Sequence, residues 1–473
     1  MNTISSVYDR YVSEEMLGVF SPHSKYSTWR KLWLELAKGQ KKLGISISEQ
    51  QLAEMQQHIS SIDFEKVQAI EKKCKHEVMA HIAAFGEACP KAKKIIHLGA
   101  TSSYVMDNAD LILMKKALEI ISHKLIHVIG KLASLSKKYA ALPCLSYTHF
   151  QPAQPTTIGK RLAIWLQDLI MDFEQLDPLT KNLPFLGIKG ATGTAASFLQ
   201  LFDGDKQKVR KLDDLVTKAM GFSASIPLST QTYPRKIDYQ IFSVLSGLAA
   251  TCHKIGTDIR LLSHTYEITE KSSKEQIGSS AMPHKQNPIL SERLCSLSRF
   301  LLSLTDVTAY NAALQWLERS LDDSANRRLV IPQGFFLADS ILHILYSIFF
   351  QLEFHEEMIQ KHFQEFFQFI ALEPILMHLA KQGKDRGQMH EILKQHARKA
   401  FQAFKEGKSH VFLQDMSEDP RLELSKETLD ALLKNEVLTG LAEDQVLQFL
   451  SKKVDPLLEK RASIKTSMET VSL

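Results

Sequence analysis

A short segment, Gly278 to Pro288, has residue types that suit proton transfer. Its sequence, GSSAMPHKQNP, combines two serines and a lysine with a glycine and two prolines, and helical patterns lie on both sides of it. A serine hydroxyl is a useful base only when its alkoxide is favoured, and Lys285 and the N–H groups of a glycine-containing loop can favour it. The composition therefore indicates a loop that supplies a base. The alternative is that the serines only cap the next helix.

Two further segments suit proton donation and anion binding. In THFQPAQ, His149 has an imidazole with an ordinary pKa of about 6.5, which allows proton donation near neutral pH. In QWLERSLDDSANRR, arginines and serines surround a predicted helix start that Ser324 is placed to cap. Arginine forks, hydroxyls and the N–H groups of a helix N-terminus all bind phosphate. A capped, solvated helix is the alternative reading of this segment.

The composition is that of a soluble globular enzyme with long helices. Of 473 residues, 44% are hydrophobic and 23% are charged, and only 20 are glycine and 15 proline. The net charge is only +5 and the basic residues are dispersed, which argues against a nucleic-acid partner. The five cysteines form no C-x-x-C pair, so neither a disulfide framework nor a zinc site is predicted. The first residues contain no apolar signal segment.

The elements that must position these residues are predicted to be helices. Four long segments keep an apolar stripe at helical spacing, and they begin with ADLILMKK, GKRLAIWL, KIDYQIFS and PILSERLC. Such lengths are typical of a long helix bundle. No stretch alternates like a strand over any length. An apolar run from Phe335 to Phe350 is shorter than the ~20 residues of a membrane span, and it is predicted to lie inside the bundle.

The predicted fold class is therefore all-α, with three helical domains. Residues 1–106 form an N-terminal domain, residues 107–354 form the central long-helix bundle with the signature loop 278–288, and residues 355–473 form a C-terminal domain. The bundle is expected to pack against other copies of the chain, because a monomer would leave long apolar stripes in water.

Motifs along nearly the whole chain resemble one family. GSSAMPHKQNP is similar to the signature G-S-S-x-M-P-x-K-x-N of the fumarase/aspartase superfamily, a pattern too long and unusual for a chance match. Within the superfamily, the chain resembles the eukaryotic-type branch of the adenylosuccinate lyase family. The segments that carry this resemblance are DRYVS, KHEVMAHIAAFGE, IIHLGATSSYVMDN, YTHFQPAQPTTIGKR, QTYPRK and QWLERSLDDSANRR.

The resemblance implies β-elimination of fumarate from adenylosuccinate, giving AMP, and from succinylaminoimidazole carboxamide ribotide, giving AICAR. Such a reaction removes a C–H proton beside a carboxylate, protonates a departing nitrogen, and requires cations for the developing negative charge. It implies small-molecule nucleotides as partners, no cofactor and no metal. It also implies a cytoplasmic homotetramer with shared active sites and a tetramer core built from the long helices. No nucleic-acid or membrane partner is expected.

The catalytic positions of the family match four residues of this chain. Ser279 matches the base and His149 matches the general acid. Lys285 matches a cation that supports the base loop or holds a substrate carboxylate. Glu292 matches the carboxylate that orients such a histidine, although its sequence context would equally suit a surface ion pair.

The substrate-binding positions match thirteen further residues. Those that resemble phosphate contacts are Arg10, Tyr11, Arg319, Ser324 and Arg328. Those that resemble carboxylate, loop-orienting or other nucleotide contacts are Lys75, His76, Glu77, Thr101, Ser102, Gln231, Asn287 and Arg293. The sequence departs from the family pattern at Lys75, where arginine is usual, at Glu77, where aspartate is usual, and at Gln286, where arginine is usual. A lysine cannot make the bidentate contact of an arginine, so substrate affinity is expected to differ.

Two alternatives stay open at this point. Another lyase of the superfamily, such as argininosuccinate lyase, aspartase or fumarase, would have no use for the phosphate set around SANRR. A catalytically silent relative of the same fold would have no use for an intact Ser279, His149 and Lys285.

Overall fold

The computed structural model describes residues 10–271, 282, 284–408, 412–462, 468 and 470. The α-helices in this part of the chain are α1 (Glu14–Val19), α2 (Pro22–Lys42), α3 (Glu49–Gln57), α4 (Phe64–Cys74), α5 (Glu77–Ala88), α6 (Ser102–Lys138), α7 (Ile158–Asn182), α8 (Ala196–Leu201), α9 (Lys206–Ala219), α10 (Lys236–His264), α11 (Ile289–Ala313), α12 (Asp323–Gln351), α13 (Glu356–Ile370), α14 (Leu372–Lys381), α15 (Arg386–Lys405), α16 (Phe412–Ser417), α17 (Lys426–Leu432), α18 (Asn435–Leu438), α19 (Ala442–Phe449) and α20 (Asp455–Lys460). The strands are β1 (Pro143–Thr148), β2 (Gln151–Thr157), β3 (Ile268–Glu270) and β4 (Leu352–Phe354), and a π-helical turn spans Leu450–Val454.

Five long helices form the body of the protein, which confirms the prediction of an all-α fold. Helix α10 packs against α7, α11 and α12, and α6 packs against α7 and α12. The longest, α6, has 37 residues, which gives a rod of about 55 Å. Its apolar side chains recur at helical spacing, and most of them are fully buried in one large core. This rod, with the ends of its neighbours, sets the positions of the candidate site.

Helix α12 contains the apolar run that was predicted to be interior. Among the described helices it alone is long and apolar enough to cross a membrane, and 67% of its most apolar stretch is buried inside the protein. Its polar interruption at Asp339 pairs with the Lys124 ammonium of α6. The Asp339 carboxylate also accepts the Ser13 backbone N–H at 2.7 Å. The interruption therefore attaches the DRYVS segment to the bundle.

Two small antiparallel sheets were not predicted. Strands β1 and β2 form a hairpin that pairs Thr148 with Gln151, so its turn consists of His149 and Phe150. Both turn residues have positive φ, 52° and 57°, as a two-residue turn of type I′ requires. Strands β3 and β4 form the other sheet. The hairpin contains three prolines. Proline has no N–H group to donate to a neighbouring strand, so its presence argues against a strand when only the sequence is considered.

The region after α12 contains a second apolar cluster. Buried side chains of α13 to α17, including Phe363, Leu379 and Phe412, pack together apart from the main core. Val446 of α19 and Val454 of the π-helical turn instead belong to the main core. The division of the chain into three domains stays a prediction.

Candidate active site

A cavity of about 530 Å³ lies where the N-termini of α5, α6 and α12 meet. Nine of the predicted substrate-binding residues line it: Lys75, His76, Glu77, Thr101, Ser102, Gln231, Arg319, Ser324 and Arg328. These residues come from four separate stretches of the sequence. The positive ends of three helix dipoles and two arginines therefore face one space, which favours an anionic ligand.

The sharp connection between α4 and α5 turns His76 into the cavity wall. Lys75 ends α4 in the left-handed conformation, with φ 55°. His76 is the N-cap of α5, and its Nδ1 accepts the Met79 backbone N–H at 3.3 Å. Because that bond uses Nδ1 as an acceptor, any ring proton of a neutral His76 is on Nε2, which lies 3.5 Å from Ser102 Oγ.

Ser103 connects two of the predicted residues, and the sequence analysis did not select it. Arg319 Nη1 donates to Ser103 Oγ at 2.7 Å, and Ser103 Oγ donates to Gln231 Oε1 at 3.2 Å. The Gln231 amide donates in turn to the Ala191 carbonyl at 2.9 Å. The chain of bonds holds both cavity residues in fixed positions. The position of Ser103, directly after the predicted residues Thr101 and Ser102, was the one sequence feature that could have identified it.

Glu77 is the acidic centre of the cavity. Its carboxylate accepts from Lys25 Nζ and Tyr26 OH, each at 2.8 Å, and from Arg328 Nη2 at 2.6 Å. Burial raises the pKa of Glu77, but the charges and hydrogen bonds of Lys25, Arg328 and Tyr26 outweigh it and hold the pKa at about 2. Glu77 is therefore ionised at neutral pH. Lys25 and Tyr26, near the start of α2, carried no signal in the sequence.

A smaller space of about 260 Å³ adjoins the cavity and shares Met106, Ser324 and Arg328 with it. Its wall is more apolar and includes Tyr26 and Ile331. The site thus combines a polar, arginine-bearing part with a neighbouring apolar part, as pockets for small organic anions usually do.

A buried ion network lies behind the cavity and explains two of the motifs. Arg235 of QTYPRK donates to Asp107 at 2.9 Å and to Asp323 at 2.6 Å. Arg327 of DDSANRR donates to Asp238 at 2.8 Å. All five residues are buried. Paired buried charges of this kind hold their segments in place, because loss of one partner leaves the other uncompensated.

The start of α12 differs from its prediction. The helix begins at Asp323 with Asp322 as its N-cap, and no side chain makes a cap hydrogen bond there. The prediction that Ser324 caps the helix is therefore wrong. Ser324 lies in the first turn instead. The helix begins two residues earlier than a Ser324 cap would allow, because the buried Arg235 engages the Asp323 carboxylate there.

Several other predicted residues lie outside the lining of this cavity. The Arg293 guanidinium stands 5.7 Å from the centre of the Tyr11 ring, and Arg10 beside it is exposed. His149 is exposed at the tip of the hairpin. Ser279 lies outside the described residues.

The described end of the signature loop precedes α11. Lys285 and Glu292 are exposed there, and Asn287 is half-buried. The Glu270 carboxylate accepts the backbone N–H groups of Leu290 at 2.9 Å and Ser291 at 2.7 Å. Burial raises the pKa of Glu270. This carboxylate caps α11. It therefore connects the segment that precedes the signature loop, at residue 270, with the helix that follows the loop.

No group of three or more histidine, cysteine or acidic side chains in the described residues is placed to hold a metal ion. The cavity presents two arginines, a lysine and hydroxyl groups, beside the carboxylates of Glu71 and Glu77. Such a lining suits organic anions rather than cations.

Known proteins resemble the chain in sequence along nearly its whole length. Residues 31–299 match the Lyase family, and residues 368–449 match the Adenylosuccinate lyase C-terminus family. The chain is 44% identical over 452 residues to adenylosuccinate lyase of Schistosoma mansoni, which covers 95% of this chain and 94% of that protein. It is 42% identical over 462 residues to adenylosuccinate lyase of Saccharomyces cerevisiae, which covers 97% and 96%.

Solved structures resemble the chain in fold. A fumarate lyase from Mesorhizobium sp. superposes with a TM-score of 0.81 at 21% identity, over 94% of this chain and 99% of that one. The 3-carboxy-cis,cis-muconate lactonizing enzyme from Pseudomonas putida gives 0.82 at 22% identity, over 94% and 98%. Identities this low show a shared fold and do not specify the reaction. The sequence relatives do distinguish among such enzymes, and by them the chain belongs to the adenylosuccinate lyase family.

Proposed function

We propose that the protein is an adenylosuccinate lyase that releases fumarate from adenylosuccinate, giving AMP, and from succinylaminoimidazole carboxamide ribotide, giving AICAR. One observation carries the proposal. Four distant stretches of sequence place two arginines, hydroxyl groups, a histidine and three helix N-termini around one cavity. A substrate with a phosphate and two carboxylates needs such a surface.

The reaction breaks one C–N bond and needs no external oxidant or reductant. A base removes a proton from the carbon adjacent to the one that bears the nitrogen. The electron pair of that C–H bond forms the C=C bond of fumarate. The bonding pair of the C–N bond leaves with the nitrogen. The nitrogen then receives a proton from an acid. We assign the base to Ser279, the acid to His149 and the support of the alkoxide to Lys285. Glu292 is assigned to orient His149.

The cavity residues are assigned by their chemistry. Arg319, Ser324 and Arg328 bind the phosphate, because guanidinium forks and a hydroxyl at a helix N-terminus match its oxygens. Thr101, Ser102 and Gln231 hold the succinyl carboxylates, and His76 lies beside Ser102 in the cavity wall. Lys75 and Glu77 complete the wall. Arg10 and Tyr11 are assigned to the phosphate, Asn287 to the succinyl carboxylates or the base loop, and Arg293 to another part of the nucleotide.

We assign the complete site to a homotetramer that shares residues between chains. His149 is exposed on a hairpin tip and is absent from the lining of its own chain's cavity, which fits a role in the cavity of a second chain. Large apolar side chains on the bundle are also half-exposed, including Ile164, Met171 and Phe300. Other copies of the bundle would cover them. As an enzyme of nucleotide synthesis, the protein is placed in the cytoplasm.

The test is fumarate release by the purified protein, followed by ultraviolet absorbance. Adenylosuccinate is expected to give fumarate, and argininosuccinate, aspartate and malate are expected to give none. Turnover of one of those three would favour another lyase of the superfamily. No turnover of any substrate would favour a catalytically silent relative.

A further inference from the structure

Glu77 lies between a lysine and an arginine that belong to different helices. Its Oε1 accepts from Lys25 Nζ and Tyr26 OH, each at 2.8 Å, and its Oε2 accepts from Arg328 Nη2 at 2.6 Å. One carboxylate thus joins α2, α5 and α12. The Arg328 guanidinium, which lines the cavity, thus pairs with an anionic group of the protein itself.

We infer that Glu77 is an internal substitute for the substrate phosphate at Arg328, and that a phosphate-bearing ligand displaces its carboxylate. The inference rests on the proposed function, in which Arg328 binds the phosphate. Carboxylate and phosphate oxygens use the same donors of a guanidinium and form the same kind of charge-assisted hydrogen bond. Glu77 therefore keeps Arg328 in place and, by competing, lowers the affinity of the cavity for phosphate.

The exposed fractions of the two side chains indicate which of them moves. The Arg328 side chain is 54% exposed, whereas the Glu77 side chain is 14% exposed. Glu77 also keeps two donors, Lys25 and Tyr26, that do not depend on Arg328. Arg328 can therefore turn towards a ligand while Glu77 stays in place, still neutralised by the Lys25 ammonium.

The second cavity arginine has a different partner. Arg319 Nη1 donates to the neutral Ser103 hydroxyl at 2.7 Å, and within the described residues Arg319 forms no salt bridge. The positive charge of Arg319 can therefore bind an anion without first leaving a carboxylate. A phosphate is expected to bind Arg319 first and then to displace Glu77 from Arg328.

Inorganic phosphate is the probe for this competition, because it has neither base nor ribose and so reports on the cations alone. Glu77→Gln removes the competing charge, and the new amide oxygen can still accept from Lys25 or Tyr26. We expect the dissociation constant for phosphate, measured by calorimetry on the full-length protein at fixed ionic strength, to fall about tenfold, as for a partly exposed ion pair. Unchanged or weaker binding would overturn the inference.

Glu71→Gln is the matched control. Glu71 lines the same cavity, and its loss changes the net charge equally, but the described structure contains no contact between Glu71 and Arg328. Its dissociation constant for phosphate is expected to change less than about twofold. Equal tightening in both variants would show that only the total charge of the cavity matters, and the inference would be wrong.

Tyr26→Phe provides a second variant with the opposite expected sign. It keeps the net charge and the ring that stacks on His81 at 3.9 Å, but it removes one donor to Glu77. The carboxylate is then more available to Arg328, and phosphate should bind about threefold more weakly. If phosphate affinity did not change in Tyr26→Phe, the result would count against competition, even if Glu77→Gln did not fold.

Fumarate release by the unmodified enzyme is measured separately. A lack of fumarate release would therefore concern the proposed function alone.

Discussion

Among single residues, the two cavity arginines differ from ordinary surface cations because each is held by a specific partner. Arg319 is held by the neutral Ser103 hydroxyl, so its guanidinium is already oriented for an anion, whereas Arg328 is held by Glu77 and must exchange that partner. Orientation before binding reduces the entropy lost on binding. This property allows the phosphate assignment to be tested by choice of ligand.

Arg328→Ala should weaken the binding of AMP by at least about tenfold, because a charge-assisted contact to phosphate contributes about 2 kcal/mol or more. Adenosine has no phosphate, so its binding should change little. Both affinities can be measured by calorimetry on the same preparations. An equal loss for the two ligands would mean that Arg328 supports the fold of the site and does not bind phosphate.

Ser279→Ala should lower kcat by at least about 10³-fold with little change in KM, because the lost interaction is made only in the transition state. Steady-state fumarate release provides both constants. Ser280→Ala is the control and should have a milder effect. A Ser279 variant that keeps a tenth of normal turnover would remove this serine from its assigned role.

Among the elements, α7 carries an unusual carboxylate. Asp172 is buried against α10, and its Oδ2 has no hydrogen-bond partner in the described part of the chain. Burial raises its pKa to about 6, with a smaller contribution from the Asp168 charge. The folded protein therefore holds a proton between about pH 4 and 6 that the unfolded chain releases, so the free energy of unfolding falls as pH rises through this range.

Asp172→Asn should remove this pH dependence, since an amide has no charge to bury. Above pH 6 the variant should be more stable by up to about 2 kcal/mol, and near pH 4 it should match the original protein. Chemical unfolding at pH 4.5 and pH 8 gives the comparison. Glu174→Gln, at an exposed position of the same helix, is the control. Lower stability of Asp172→Asn at pH 8 would contradict the assignment.

The long elements were predictable from the sequence, while the short ones were not. Helices α6, α7, α10 and α11 follow apolar stripes that repeat over many turns. The last three begin within one residue of the predicted segments, whereas α6 begins at Ser102, seven residues before its predicted segment. The hairpin was missed because its burial alternates poorly and prolines interrupt it. The start of α12 was misplaced by two residues, because a buried arginine from a distant segment decides where that helix begins.

The candidate site shows the same limit. The motifs identified nine residues that line one cavity, because they resemble a known pattern at known spacing. Lys25 and Tyr26 could not be found in that way. They reach Glu77 from the first turns of an ordinary amphipathic helix, and only the packing of α2 against the bundle brings them there. Contacts between distant segments have no signature in local sequence.

At the scale of the whole molecule, the proposed homotetramer with shared sites can be tested by mixing two variants. Homotetramers of His149→Gln and of Ser279→Ala should each be inactive. After dissociation and joint reassembly, roughly a quarter of the sites should be intact if the two residues come from different chains, because each then has an even chance of being unmodified. Mixed tetramers are identified by mass spectrometry. Mixed tetramers without activity would place both residues in one chain's site.

The hairpin tip has a consequence for how this enzyme can be improved. His149 and Phe150 both have left-handed backbone conformations that asparagine and glycine adopt with less strain. Replacing them with Asn-Gly should raise the free energy of unfolding by about 1 kcal/mol and so raise the unfolding temperature slightly. The same replacement removes the assigned acid His149, so turnover should be abolished. A variant library selected for heat resistance alone would therefore collect inactive proteins at these two positions. Engineering for durability must leave the tip unchanged and look for its gains elsewhere.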